Sequence, residues 1–199
     1  AGQGYPEPSP YDKIILDREV RYVGDEVAMV AAETEEIAER ALNLIEVDYE
    51  VKKPLLDLRR ALKKDAPRVH TEKDAHVIIP IPYEPERNLV SLVDAAVGDV
   101  DRAIEESEVV LEEECENQYA AHCAIEPHAA LSWIDPDGRL QIVSTTQVPY
   151  HARRIVARAL DLPVKKIRVR KPRLGGGFGG KQEIVLEPYV AAVTLKTGR

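Results

Sequence analysis

The chain has 199 residues and a formal net charge of −8, from 35 Asp and Glu against 27 Lys and Arg. This length supports one domain or two small ones with a hydrophobic core, and the acidic balance argues against general nucleic-acid binding. No stretch approaches the roughly 20 apolar residues that span a bilayer, and the polar, proline-rich start lacks a signal peptide's apolar segment. With only two cysteines, Cys115 and Cys123, we expect a reduced cytoplasmic protein without a disulfide framework.

The first half of the chain reads as a small α+β unit that follows an irregular N-terminal arm. Apolar alternation on both sides of Gly24-Asp25 indicates two strands and a turn, and Thr34 before two acidic residues is typical of a helix start. Three prolines between residues 79 and 85 mark a linker. The predicted elements are two strands within 19–32, a helix from Thr34 to about residue 45, a strand at 47–51 and a short helix at 58–64.

The second half alternates strands with helices and contains one clear hairpin. Asp135-Pro136-Asp137-Gly138 forms the hairpin turn, and Gly98-Asp99 marks the start of a short helix. The predicted elements are strands at 89–97 and 109–121, a helix at 100–106, a hairpin over 129–144, a helix at 149–160, a strand at 163–170 and a helix at 183–196.

Five glycines occur within six residues at 175–180, in the sequence GGGFGG. So many glycines cannot be explained by packing; we expect the main chain either to approach something closely or to adopt positive φ angles. The spacing from Gly175 to Gly180-Lys181 fits a phosphate-binding loop, but Gln182 replaces the Ser or Thr that would ligate Mg²⁺. Only 17 residues follow Gln182, too few for the strand that would complete such a site, so the sequence argues against this interpretation.

Basic residues are concentrated just before this loop. Between His151 and Lys181 there are ten Lys or Arg and a single acid, Asp161. Such a stretch suits an anionic ligand, and it equally suits a solvated helix and edge strand. The sequence leaves both interpretations open. The ten residues are Arg153, Arg154, Arg158, Lys165, Lys166, Arg168, Arg170, Lys171, Arg173 and Lys181.

Three separate segments resemble the molybdenum hydroxylases, the family of xanthine dehydrogenase and aldehyde oxidase. These are RYVGDEVAMVAAETEEIAERALNLIEVDYE, GDVDRAIEESEVVLEEECENQYAAHCAIEPHAALSWID and STTQVPYHARRIVARALDLPVKKIRVRKPRLGGGFGGKQ. The resemblance implies an α+β fold, with a small α/β hammerhead domain at 1–80. Residues 81–199 would form the N-terminal part of a molybdopterin-binding domain that continues in a longer protein.

The resemblance also assigns roles to individual residues near the glycine loop. Gln147 would stand beside the metal and donate a hydrogen bond to an oxo ligand, which an amide does without adding charge; otherwise it is a polar strand end. Gly177, Gly179 and Gly180 would bring backbone N–H groups to the cofactor. Phe178, the single Phe of the chain, would line the substrate channel; the alternative is a packed anchor.

Gln182 stands where xanthine-oxidising members carry a Glu that binds the purine. An amide can hydrogen-bond a ring nitrogen or carbonyl but cannot act as an acid, so xanthine is in doubt as the substrate. We expect Glu183 to cap the following helix.

Glu126 and His128 match a family EPH segment. They are expected to support the residues of the site without touching the cofactor themselves. Together with His122 and Cys123 they have the residue types of a metal site, but zinc ligands usually come as two separated pairs. A turn with a hydrogen-bonded His is the better interpretation.

The resemblance implies an oxidoreductase that hydroxylates an N-heterocycle or an aldehyde with oxygen derived from water. Its cofactor would be molybdenum with molybdopterin, in the mononucleotide or cytosine dinucleotide form. Iron–sulfur centres and FAD would lie on partner subunits or domains, and the complex would be a homo-oligomer without nucleic-acid or membrane partners. The family's catalytic Glu would lie beyond Arg199, so we expect the chain alone to be inactive. The competing hypothesis is a non-catalytic hammerhead-like scaffold whose glycine loop binds no cofactor.

Overall fold

The computed structural model describes residues 15–71 and 82–199. Within this part, no helix is long and apolar enough to cross a membrane. The helices are α1 (Glu35–Leu42), α2 (Leu58–Ala61), α3 (Val100–Glu105), α4 (Pro149–Ala159) and α5 (Glu187–Thr197), and the strands are β1 (Ala130–Ile134), β2 (Leu140–Ser144) and β3 (Ile167–Arg170). Short 3₁₀ helices lie at Pro85–Arg87 and Val164–Lys166.

The three strands form one mixed sheet in the order β1-β2-β3. β1 and β2 are antiparallel and form the predicted hairpin, whose turn is closed by a hydrogen bond from Gly138 N–H to the Asp135 carbonyl at 2.9 Å. β2 and β3 are parallel, and α4 provides the connection between them. A parallel pair needs such a crossover, so α4 must pack back on the sheet.

The hydrophobic core lies where α4 and α5 pack on this sheet. Leu140 and Ile142 alternate along β2 and are 2% and 0% exposed, and they meet Val156 of α4 and Ala191 of α5. A buried hydrogen bond also joins the sheet to α5: Ser144 Oγ of β2 donates to Glu187 Oε1 of α5 at 2.5 Å. The end of β2 is therefore fixed to the start of α5, just before the segment that carries Gln147.

The local signals of the first half are confirmed, but four segments predicted as strands, two in each half of the chain, are wrong. Thr34 Oγ1 accepts the Ile37 N–H at 3.3 Å and caps α1, and Gly24 makes the turn with a φ of 105°. The segments 19–32, 47–51, 89–97 and 109–121 form no strand in the described residues. Alternating side chains favour an extended backbone, but a strand also needs a neighbour for its N–H and C=O groups. Within the described ranges these segments have only the isolated bridge between Glu84 and Leu89.

Asn88 links the two halves of the chain through its side chain. Its Nδ2 donates to the carbonyls of Ala61 (2.9 Å) and Pro67 (3.0 Å), and its Oδ1 accepts the Val69 N–H at 2.9 Å. The backbone of Asn88 is left-handed, with a φ of 55°, a conformation that Asn adopts more readily than most residues. The predicted linker of 79–85 lies partly outside the described residues.

The last helix begins four residues later than the sequence predicts. The expected start at Glu183 is wrong, and so is its capping role, because α5 begins at Glu187. Pro188 explains the shift: proline lacks an N–H and is tolerated only in the first turn of a helix. The first-turn acid is therefore Glu187, which is 3% exposed. Cys115 and Cys123 are free and exposed.

Candidate active site

The glycine loop, residues 175–181, lies between β3 and α5 and contacts two distant segments of the chain. The first contains His122 and Glu126, before β1. The second contains Thr146 and Gln147, in the short link between β2 and α4. The sheet and its two helices fix where this link and this loop meet. The sequence-predicted residues Gln147, Gly177 and Gly180 thus come together in the structure.

Three of the glycines are required by side chains of the chain itself. A Cβ added at Gly175 would lie 2.7 Å from Cβ of Glu126, and one added at Gly177 would lie 2.5 Å from Oε1 of Gln147. A Cβ at Gly180 would lie 2.8 Å from Cγ of His122. The expected close approach of the main chain is therefore confirmed for three of the five glycines. What this part of the main chain approaches closely is Glu126, Gln147 and His122.

The other two glycines and Phe178 adopt left-handed backbone conformations. Gly176 and Gly179 have φ values of 100° and 85°, and Phe178 itself has a φ of 50°. A large non-glycine residue in this region is strained. Phe178 is 75% exposed, so it is not a packed anchor among the described residues. The loop presents the ring at its apex, beside Gly176.

The apex also carries a run of backbone donors. In the described part of the chain, no acceptor lies within hydrogen-bonding distance of the N–H groups of 176–179. Gly177 among them is buried. Successive unpaired N–H groups in a loop with left-handed residues form a concavity that favours anions. This donor set fits an anionic group such as a pterin phosphate or an oxo ligand.

Gln147 is held against this run by its own peptide and side chain. Its N–H donates to the Lys181 carbonyl at 2.8 Å, and its Oε1 accepts the Lys181 N–H at 3.2 Å. Thr146 supports the same carbonyl at 3.4 Å. Because Oε1 is engaged, the amide can offer only Nε2 to a ligand, and no acceptor for Nε2 is recorded within the described ranges. An amide oriented in this way is a hydrogen-bond donor without charge.

Lys181 does not serve as a free cation at the loop. Its side chain is 2% exposed and its Nζ lies 2.7 Å from Oε1 of Glu126, whose other oxygen accepts the Gly175 N–H at 2.8 Å. The Lys181 ammonium, and after it the Gly175 N–H, lowers the pKa of Glu126 from its ordinary value. The Lys of a phosphate-binding loop would have to reach the ligand, so this geometry also argues against that interpretation.

The remaining predicted site residues lie at different places around the loop. Gln182 follows Lys181, is half-buried, and donates its N–H to the Gly179 carbonyl at 3.1 Å. Glu126 supports the loop directly. His128 is exposed and makes no recorded hydrogen bond within the described residues, so the expected hydrogen-bonded His is not found there. No group of three His, Cys, Asp or Glu side chains converges as a metal site in the described part.

The basic stretch behaves for the most part as a solvated surface. Eight of its ten residues are exposed, on α4, on β3 and in the segments that flank β3. Arg153 is half-buried and donates to the Val164 carbonyl at 2.9 Å. Lys181 is the exception, because it is buried and paired.

Sequence reasoning missed two supporting residues. The sequence places Lys181 in a phosphate-loop pattern and in the basic stretch, but its burial depends on Glu126, which is 55 positions away. Glu187 was overlooked as the first-turn acid of α5; the Pro that follows it was the available signal. Both are charged residue types that are almost never fully buried without a partner.

Comparison with known proteins identifies both parts of the chain. Residues 82–199 match the model of the molybdopterin cofactor-binding domain, and residues 2–53 match that of the aldehyde oxidase and xanthine dehydrogenase a/b hammerhead domain. A protein named "Probable hypoxanthine oxidase XdhD" from Escherichia coli O157:H7 is 41% identical over 221 aligned residues, covering 100% of this chain and 23% of the relative. The large molybdopterin subunit of nicotinate dehydrogenase from Eubacterium barkeri is 33% identical, covering 92% of this chain and 40% of that subunit.

The fold agrees with a solved structure as well. The aldehyde oxidoreductase of Desulfovibrio gigas superimposes with a TM-score of 0.77 at 24% identity, over 95% of this chain and 20% of that protein. This similarity supports the α+β fold, a hammerhead domain followed by the start of the molybdopterin-binding domain. The chain spans less than half the length of these relatives. By both family models, the chain belongs to the molybdenum hydroxylases, the xanthine dehydrogenase and aldehyde oxidase family.

Proposed function

We propose that the chain is part of a molybdopterin-dependent hydroxylase that oxidises an N-heterocycle with oxygen derived from water. The observation that carries this proposal is the contact between Gln147 and the glycine loop. A side-chain amide whose oxygen is engaged and a run of unpaired backbone N–H groups meet at one place. These groups are preorganised hydrogen-bond donors, which stabilise the negative charge of an anionic cofactor.

In this proposal the bound molybdopterin supplies a redox-active metal that takes up the substrate's electrons. The residues of the chain bind and orient. Gln147 Nε2 would donate to an oxygen of the cofactor, and the N–H groups of 177–179 would offer further donors to its anionic groups. Gly180 N–H is already bonded to the Gly177 carbonyl at 2.7 Å, so the cofactor contact of Gly180 is a close approach of its backbone. Glu126 supports the loop, and His128 is left with no role that its position supports.

Phe178 and Gln182 provide the substrate side of the proposed site. The exposed ring of Phe178 offers a flat apolar surface on which a heteroaromatic ring can stack. The amide of Gln182 can donate to a ring carbonyl or accept from a ring N–H, but it cannot supply charge. A neutral, bidentate recognition group favours a substrate that is bound without protonation.

An N-heterocycle is favoured over an aldehyde because of the relatives. The names of the two similar proteins refer to hypoxanthine and to nicotinate, and both of these molecules are nitrogen heteroaromatics. The aldehyde oxidoreductase supports only the fold.

The further parts of the proposal concern the assembly. The hammerhead domain would end, and the molybdopterin-binding domain begin, near residue 80, between the two matched regions. The rest of the large subunit would complete the site and supply its general base. Iron–sulfur and flavin subunits or domains would take the electrons onward, in a cytoplasmic homo-oligomeric complex.

Substrate preference in the complete enzyme tests the assignment of Gln182. We would measure kcat/KM for hypoxanthine, xanthine, nicotinate and an aromatic aldehyde, in the wild type and in Gln182→Glu. We expect the ratio between substrates to change by about tenfold or more, equivalent to roughly 1.4 kcal/mol of transition-state binding. Glu183→Gln is the matched control, because Glu183 is the adjacent exposed acid, and it should leave the ratio unchanged.

Two outcomes would contradict the proposal at different points. An unchanged preference in Gln182→Glu would remove Gln182 from the substrate pocket but leave the enzyme class intact. A correctly assembled enzyme without molybdenum or pterin would instead support the competing hypothesis of a non-catalytic scaffold.

A further inference from the structure

A single carboxylate holds both ends of the glycine loop. Oε2 of Glu126 accepts the N–H of Gly175, the first residue of the loop, at 2.8 Å. Oε1 of the same carboxylate accepts a hydrogen bond from Nζ of Lys181, the last residue of the loop, at 2.7 Å. The main chain adds a weaker contact, from Glu126 N–H to the Gly175 carbonyl at 3.4 Å. The ends of the loop are thereby held at a fixed separation, while the N–H groups of 176–179 at its apex donate no hydrogen bond within the described residues.

The two residues of the ion pair, Glu126 and Lys181, differ in exposure. The more buried residue depends on the other for its compensating charge. Lys181 is 2% exposed, whereas the Glu126 side chain keeps 30% of its surface. A buried ammonium that has lost its water needs an opposite charge, and Glu126 is its recorded salt-bridge partner among the described residues. Removing the carboxylate leaves a buried charge uncompensated, which favours a shift of Lys181 toward solvent.

Movement of Lys181 would be transmitted directly to Gln147. The Lys181 peptide accepts from Gln147 N–H at 2.8 Å and donates to Gln147 Oε1 at 3.2 Å. Gln147 also contacts Gly177 so closely that no Cβ fits between them. A shift at one end of the loop thus changes the position of the amide and of the apex together.

We propose that Glu126 and Lys181 are positioning residues: their ion pair sets the distance between the Gln147 amide and the loop apex. The identity of the ligand that this arrangement receives rests on the proposed function. The positioning itself does not, because it is a property of the contacts within the chain.

The experiment uses the complete enzyme with Glu126→Gln, Lys181→Met and the double substitution. Glu126→Gln keeps an oxygen for the Gly175 N–H but removes the charge, and Lys181→Met keeps the length but removes the ammonium. Glu106→Gln is the matched control, because Glu106, at the C-terminal end of α3, forms an exposed ion pair with Arg102 at 2.7 Å. We would measure activity per bound molybdenum and hydrogen exchange of the peptide that covers the loop.

We expect each single substitution to lower kcat per bound molybdenum by roughly tenfold. The double substitution should lower it no further than the less active of the two single variants. Exchange at the loop should become faster by a similar factor, and Glu106→Gln should change neither quantity. A role in folding alone would instead lower the molybdenum content and leave kcat per molybdenum unchanged; that result would overturn the proposal. Additive effects in the double substitution would overturn it as well.

The exchange measurement separates this proposal from the proposed function. If the enzyme holds no molybdenum, the function fails, yet faster exchange in both single variants would still support the positioning pair. Unchanged exchange in both variants would refute the pair whatever the cofactor content.

Discussion

Gly177→Ala tests the close contact between the glycine loop and Gln147. The three atoms nearest to an added Cβ all belong to Gln147, at 2.5, 2.7 and 3.0 Å. Gln147 cannot turn away without a cost, because its Oε1 accepts the Lys181 N–H. The φ of Gly177 lies outside the left-handed region, so the conformation itself tolerates alanine. The whole penalty therefore comes from Gln147.

The expected magnitude follows from two opposing terms. Overpacking of this kind costs about 1–3 kcal/mol, while replacing Gly by Ala stabilises by about 0.4–1 kcal/mol through the unfolded chain. We expect a net loss of roughly 0.5–2 kcal/mol, which corresponds to a fall in Tm of roughly 1–8 °C for a chain of this size. In a Gln147→Ala background the clash disappears, and the same substitution should become neutral or stabilising.

Fluorescence of Trp133, the single Trp of these 199 residues, is the appropriate assay for the 199-residue chain. It lies in β1 with the Arg170 guanidinium 5.5 Å from its ring centroid, so it reports on the sheet that carries the site. Gly180→Ala is the matched control, because its Cβ would meet His122 and not Gln147; Gln147→Ala should not rescue it. If Gly177→Ala lowers Tm equally in the wild type and in Gln147→Ala, the contact with Gln147 is not the reason for a glycine at position 177.

Three further predictions concern other contacts. Ser144→Ala leaves the buried Glu187 carboxyl without its 2.5 Å donor and should cost about 1–3 kcal/mol in urea unfolding; an unchanged midpoint would contradict this. Asn88→Asp replaces a group that donates to two carbonyls and should cost roughly 1–3 kcal/mol, whereas the exposed Asn117→Asp should stay within about 0.5 kcal/mol; equal effects would refute the role of Asn88. Because the pKa of Glu126 is lowered, its stabilisation is fully present above the ordinary Glu pKa and is lost as the pH falls through the lowered value. The difference in urea midpoint between the wild type and Glu126→Gln should therefore be constant at neutral pH and shrink in acid; a difference that grows in acid would reverse the assigned sign.

The sequence predicted those features that depend on neighbouring residues. Thr34 and Asp99 cap their helices through hydrogen bonds to N–H groups three residues ahead, and such contacts are encoded within one turn. The hairpin turn at 135–138 is equally local. The segment 109–121 has the alternation of apolar and polar side chains that predicts a strand. Strand pairing, however, depends on a distant partner that this alternation does not identify.

The same distinction between local features and contacts of distant residues applies to the candidate site. Glycine enrichment indicated a close approach, yet it could not say that the atoms approached are those of Glu126, 49 positions away, and Gln147. Burial of Lys181 likewise depends on a tertiary contact. Resemblance, and not periodicity, identified Gln147 and Phe178 as site residues.

The molybdenum and pterin content of the complete protein that carries this sequence tests the central claim most directly. The account predicts stoichiometric molybdenum with a pterin in the purified wild-type protein, and a marked loss of both in Gly177→Ala, whose Cβ displaces Gln147 at the proposed cofactor contact. A folded, fully assembled wild-type protein that contains neither molybdenum nor pterin would contradict it.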